Sequence, residues 1–198
     1  MKVYVDFDRT LFDCERFLED LYALINQYGI DKSLFKECQN QCIKKGFNPY
    51  TILNLVKEKK KFDEELYLKI DELIKKTSEY LFSDAILFLE YLKENNYETI
   101  LLTKGNTDYQ KAKVLNAKID NYYDELIVTM KHKGNLDLDY ENSVFVDDNP
   151  VEVTSILKRK VKDVIYLKRN NAKYNDIPIK KEVKIVNSLK EIIDNKEL

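Results

Sequence analysis

Two aspartates stand one residue apart near the start of the chain, Asp6 and Asp8 in "VYVDFDRTLF". They end an apolar run that reads as a buried strand, and a strand's period of two puts them on the same side. Like charges that close repel, and burying them is costly unless something compensates. Either the strand end is exposed or a cation belongs between them. A second acidic pair, Asp147 and Asp148, ends another apolar run, "NSVFVDDNP". Thr103 lies at the end of "YETILLTKG", and Lys131 and Lys133 follow "DELIVTM".

Four carboxylates brought to one edge demand a divalent cation. Hard oxygen ligands select a hard ion, and Mg2+ is the usual one. A site with Mg2+, a lysine and a threonine suits a phosphoryl group, whose charge the metal and lysine neutralise. One carboxylate pressed against phosphorus can attack it and form an acyl phosphate. The second can protonate the leaving oxygen and then activate water.

Convergence requires strands that end together. "KVYVDFD" (residues 2–8), with apolar Val3, Tyr4, Val5 and Phe7, reads as a central parallel strand. Four helical stretches follow: "CERFLEDLYALINQYGI", "DKSLFKECQNQCIKKG", "NPYTILNLVKEKK" and a long "FDEELYLKIDELIKKTSEYLF". Gly29 and Gly46 stop the first two, and Asn48 with Pro49 starts the third. From Ser83 onward, strands and helices alternate. "SDAILFLEYLKENN" reads as a capped helix, "YETILLTKG" as a strand, "TDYQKAKVLNAKI" as a helix and "DELIVTM" as a strand. "NSVFVDDNP", "PVEVTSILKRK" and "DVIYLKR" continue the alternation, and the tail reads as a short strand, a Ser188 cap and a final helix. Such alternation predicts a doubly wound parallel α/β sheet covered by helices on both faces, whose ligand site lies beyond the carboxyl ends of the strands. Residues 1–12 and 83–198 would form the core, and 13–82 an all-helical insertion after strand 1.

The ordered motifs resemble those of the haloacid dehalogenase-like superfamily. "DFDRTLF" looks like its DxDxT motif, "ILLTKGN" like its second motif and "VFVDDNPVEV" like its acidic fourth motif, with a lysine between the last two. The insertion looks like a C1-type cap on a Rossmann-like core. The resemblance implies Asp6 as nucleophile and Mg2+ ligand, and Asp8 as general acid/base with its backbone carbonyl on the metal. It implies Thr103 as a phosphate holder, with Lys104, Gly105 and Asn106 forming the turn where Gly105 lets amides approach the phosphate. Asp147 and Asp148 would complete the metal site, one directly and one through water. Lys133 sits in "KGNL", which resembles the lysine motif, while Lys131 follows the strand more closely; Lys133 is favoured. The family often has Gly at the position of Arg9, which is read as tolerated or as a contact to substrate or cap. Glu152 reads equally as a support for the metal site or lysine and as a first-turn helix residue. His132 reads as a surface residue.

The resemblance points to a Mg2+-dependent phosphatase acting on a small phosphomonoester, a metabolite or nucleotide, through an aspartyl-phosphate. Family dehalogenases lack an acid at the Asp8 position and family ATPases keep a threonine there, which disfavours both activities. A phosphomutase of the same fold, or a phosphate-binding module without chemistry, are the alternatives. Composition agrees with an enzyme of small molecules. The chain has 198 residues, a formal net charge of -2 from 33 basic and 35 acidic residues, and 44% apolar residues. Nothing in that balance argues for nucleic acid. No apolar run approaches the ~18 residues a membrane span needs. Three cysteines, Cys14, Cys38 and Cys42, fit free thiols, and the expected location is the cytoplasm. Oligomeric state is left open.

Overall fold

Six apolar runs become strands of one sheet: β1 (Lys2–Val5), β2 (Glu98–Lys104), β3 (Glu125–Thr129), β4 (Ser143–Asp147), β5 (Asp163–Leu167) and β6 (Lys184–Val186). The computed structural model describes residues 1–169, 174, 177–179 and 182–198. The strand order is β3-β2-β1-β4-β5-β6, and every pairing is parallel. The fold is the doubly wound α/β arrangement that the alternation of strands and helices predicts. Successive strands step outward from β1 to β3, and the chain then returns to β4 on the other side of β1. The switch point therefore lies between β1 and β4, where a crevice opens beyond the strand ends.

Helices α1 (Cys14–Gln27), α2 (Lys32–Gln41), α3 (Pro49–Lys59) and α4 (Glu65–Lys75) occupy the stretch between β1 and β2, with 3-10 turns at Ile43–Lys45 and Thr77–Tyr80. The segment leaves and re-enters the sheet through a two-ply neck. Phe12 bridges Leu81, Asp13 N donates to the Tyr80 carbonyl at 2.7 Å, and Phe82 N donates to the Leu11 carbonyl at 2.9 Å. Then follow α5 (Ala85–Glu94), α6 (Thr107–Asn116), α7 (Pro150–Ile156) and α8 (Leu189–Asn195).

Strand side chains alternate between two cores, as the pleat requires. Val3, Val5, Leu101, Val144, Val146 and Ile165 pack with α5, α6, α8 and the inserted helices. Tyr4, Ile100, Leu102, Phe145 and Val164 pack with Val153 and Ile156 of α7. Tyr4, Phe145 and Tyr140 stack there, with ring centroids 4.6 and 5.4 Å apart.

Three local expectations are corrected. The first strand stops at Val5 rather than Asp8, so both aspartates lie just beyond its end, although Asp6 N still donates to Val146 O at 2.9 Å. The long fourth helix is α4 followed by the separate Thr77–Tyr80 turn. The helix read as capped, α5, has Asp84 at its N-cap position but no side-chain capping bond. The Asp84 carboxylate instead pairs with Arg169 at 2.6 Å and accepts from Leu189 N at 2.8 Å, because a buried ion pair and the start of α8 compete for it. Asn48 and Ser188 do cap α3 and α8. Among the described residues no helix is long and apolar enough to cross a membrane.

Candidate active site

Beyond the ends of β1 and β4, one oxygen from each of Asp6, Asp147 and Asp148 lies within 4.8 Å of the others, and all three residues are buried. Lys133 reaches between them, its Nζ 2.5 Å from Asp6 Oδ1 and 2.6 Å from Asp147 Oδ2. Asp147 spends its other oxygen on the amide of Asn149 at 2.8 Å. Asp148 Oδ2 is buried with no hydrogen-bond partner among the described residues.

The electrostatics follow from this arrangement. Burial pushes the Asp6 carboxyl up to about 7; the Lys133 ammonium pulls the other way, and the charge of Asp147 adds to the rise. Burial also lifts Asp148 well above the usual carboxylate range, and the charges of Asp6 and Asp147 reinforce it. Burial alone would lower the Lys133 ammonium, but Asp147 and Asp6 outweigh it and hold the cation charged. Two of the three carboxylates thus share one buried cation, and Asp148 is not bonded to it. The all-oxygen donor set of the three and the unpartnered oxygen of Asp148 fit a hard divalent ion.

Lys133 owes its position to backbone pinning. Its N–H donates to Glu152 Oε2 at 2.8 Å, and its carbonyl accepts from the Tyr140 hydroxyl at 2.6 Å. Its neighbour Gly134 lies so close to α7 that a Cβ there would strike the Ser155 carbonyl. Glu152 is therefore a buried support, not merely a first-turn residue. Burial would raise its carboxyl, but Lys104, the Lys133 amide and His132 hold it below its ordinary value. Lys104 Nζ lies 2.7 Å from Glu152 Oε1, and His132 Nδ1 lies 2.9 Å from the same oxygen. His132 is an exposed residue, as expected, but one tied to the site. Lys131 is exposed, is not part of the carboxylate cluster, and among the described residues its amide donates to Thr129 Oγ1. Of the two candidate lysines, the structure brings only Lys133 to the carboxylates.

Thr103 ends the buried part of β2, and its fully buried hydroxyl has no hydrogen-bond partner among the described residues. Gly105 borders the cavity, but its own amide is not free to face it. That N–H is already donated to the Thr129 carbonyl at 2.9 Å, because β3 pairing continues past Lys104.

Asp8 points elsewhere. Its carboxylate bonds α6, through an ion pair with Lys113 and a 2.7 Å bond from Gln110 Nε2. Burial would raise this carboxyl, but Lys113 and Gln110 overcome it and keep Asp8 below its ordinary value. Neither residue stands out in "TDYQKAKVLNAKI". The only signal is their spacing of three, which puts both on one helix face. Arg9 takes a left-handed backbone, φ 64, where glycine is favoured. Its guanidinium bonds Glu15 of α1 at 2.9 Å, so of the two readings it is the contact to the inserted helices that is present.

All these groups except Thr103 and Lys131 border a cavity of about 510 Å³ or support its wall. Its far wall comes from the insertion: Phe17, Leu18 and Tyr22 of α1, then Lys36, Gln39 and Asn40 of α2.

No protein-family model and no curated protein sequence matches the chain. Solved structures do. A haloacid dehalogenase-like hydrolase from Burkholderia xenovorans superposes with a TM-score of 0.75 at 16% identity, covering 97% of this chain and 94% of that one. The HAD-hydrolase YfnB from Bacillus subtilis, bound to magnesium, gives 0.64 at 13% identity over 100% and 98%. A Thermotoga maritima protein described as a beta-phosphoglucomutase gives 0.64 at 15% identity over 100% and 99%. The chain has the fold of the haloacid dehalogenase-like hydrolases.

Proposed function

We propose that the chain is a Mg2+-dependent phosphatase that hydrolyses a small phosphomonoester, a metabolite or nucleotide, through an aspartyl-phosphate on Asp6. The observation that carries this reading is the buried triad of Asp6, Asp147 and Asp148 around one lysine, with an unpartnered oxygen on Asp148. Asp6 and Asp148 would hold the metal directly, with the Asp8 carbonyl, while Asp147 is occupied by Lys133 and Asn149. When bound, Mg2+ supplies positive charge to the phosphoryl oxygens and to the crowded carboxylates.

The chain's own groups divide the remaining work. Lys133 holds Asp6 with one oxygen engaged, leaving Oδ2 for attack on phosphorus. The phosphomonoester brings the proton: its monoanion gives the phosphate proton to the Asp8 carboxylate on binding, and as the Asp6–phosphorus bond forms and the bond to the leaving oxygen breaks, that oxygen departs with this proton from Asp8. Asp8, returned to its carboxylate, then takes a proton from the water that cleaves the aspartyl-phosphate. Lys113 and Gln110 favour the carboxylate form that this second half requires. The Thr103 hydroxyl donates to a phosphoryl oxygen. The presence of Asp8 disfavours dehalogenation, which needs no leaving-group acid.

Release of inorganic phosphate from a panel of phosphorylated metabolites, with Mg2+, with EDTA and with Asp6→Asn, tests the reading. Turnover that needs both Mg2+ and Asp6 is expected. Isomerisation of a sugar phosphate without phosphate release would replace it with a mutase. Absence of any turnover and of Mg2+ binding would leave a non-catalytic module.

A further inference from the structure

We propose that Lys113 is a positioning residue for leaving-group departure, which fixes the Asp8 carboxylate with the help of Gln110. The inference rests on the phosphatase reading above and adds a part of the machinery on α6.

Asp8 lies beyond the end of β1, in a loop, with its side chain 24% exposed at the cavity. Among the described residues its carboxylate is held only by α6: Lys113 takes Oδ1 and Gln110 takes Oδ2 at 2.7 Å. Without them nothing would fix its rotamer. The anchor itself cannot wander. Lys113 is 2% exposed, and its ammonium sits over the rings of Phe12 and Tyr109 at 4.9 Å each and near Phe7 at 5.6 Å. No other carboxylate pairs with it.

A buried ion pair is a poor device for stability, since an apolar replacement of similar volume is often neutral. A lysine sunk among three aromatic rings to meet one partly exposed carboxylate is better explained by placement. Misplacing a reacting group by about 1 Å can cost about 10²-fold in rate. The protein spends its one buried α6 cation on the group that must meet the leaving oxygen. Lys113→Met leaves Asp8 without its cation and is expected to cost stability, but Asp8 stays partly exposed to water and Met fills the space between the rings, so the variant is expected to fold.

The test is a series of aryl phosphates from 4-nitrophenyl phosphate, whose leaving group departs without help, to phenyl phosphate, whose leaving group needs a proton. In Lys113→Met, kcat/KM, which reports the steps through departure of the leaving group, is expected to fall about 10²-fold on phenyl phosphate and less than about 5-fold on 4-nitrophenyl phosphate, while hydrolysis of the common aspartyl-phosphate slows to the same extent for both. Gln110→Leu, which removes one of the two holds, is expected to show the same leaving-group dependence at about a tenth of the size. Melting curves check that both variants fold. An equal loss of kcat/KM across the series, or no loss at all, overturns the inference while the phosphatase reading stands. A wild-type protein inert on the whole series sinks the phosphatase reading and takes this inference with it.

Discussion

Asp148 is the residue at which function and stability pull hardest against each other. It is 3% exposed, and one oxygen has no partner among the described residues. Buried charge without compensation is destabilising, so Asp148→Asn is expected to raise the melting temperature of the metal-free protein at pH 8. The same change should abolish the upward shift that Mg2+ produces and cut phosphate release by about 10³-fold, the loss expected when an electrostatic anchor of the transition state goes. Paired melts of wild type and variant, with EDTA and with Mg2+, decide it; a lowered metal-free melting temperature would contradict the placement of the charge. The proton linkage gives a second prediction. Asp6, at about 7, and Asp148 bind protons more tightly folded than unfolded. Between about pH 4 and pH 7 the folded state therefore carries more protons than the unfolded one, and these groups make the metal-free protein less stable as pH rises through that window. Mg2+ removes the repulsion and needs both carboxylates ionised, so its stabilising shift should be larger at pH 8 than at pH 5. A shift of equal size at both values counts against the linkage.

Among the elements, the short turn Lys133–Asn135 against α7 has the least slack. Gly134→Ala puts a methyl group into the Ser155 carbonyl, so the turn must back away and carry Lys133 with it. A loss of about 2 kcal/mol in urea unfolding, with activity falling further than stability accounts for, is the expected outcome. Activity kept at the wild-type level would mean that the lysine reaches its partners from a displaced turn. This element also marks the boundary of what the sequence discloses. Asp6, Asp8, Asp147 and Asp148 are legible because acidic residues that end apolar runs of a parallel sheet must converge on one edge. The choice between Lys131 and Lys133 turns on a turn geometry that no periodicity encodes. Gln110 and Lys113 are illegible for another reason: on a surface helix, polar residues read as a solvated face, and only the tilt of α6 over the β1 loop shows that they face inward. Asp84 misleads in the opposite sense, since a local capping pattern loses to Arg169 and Leu189, partners distant in sequence.

Over the whole molecule, distant parts of the chain meet at the loop that follows Asp8. Arg169 donates from Nη2 to the Thr10 carbonyl at 2.9 Å, pairs with Asp84, and lies 3.8 Å over the ring of Phe82. Arg169→Met is expected to cost about 3 kcal/mol in denaturant unfolding, because the buried Asp84 carboxylate loses its cation. If stability were unchanged, the clamp would be ornamental. The order of assembly follows from the same contact, which spans 159 positions in sequence. During synthesis the inserted helices, whose contacts are local, can form early. β1 must wait for both of its neighbours, β2 and β4, and its loop must wait for Arg169. Asp6, the proposed nucleophile, thus precedes in the chain β4 and Arg169, and its site is expected to stay inactive during synthesis until both have emerged from the ribosome.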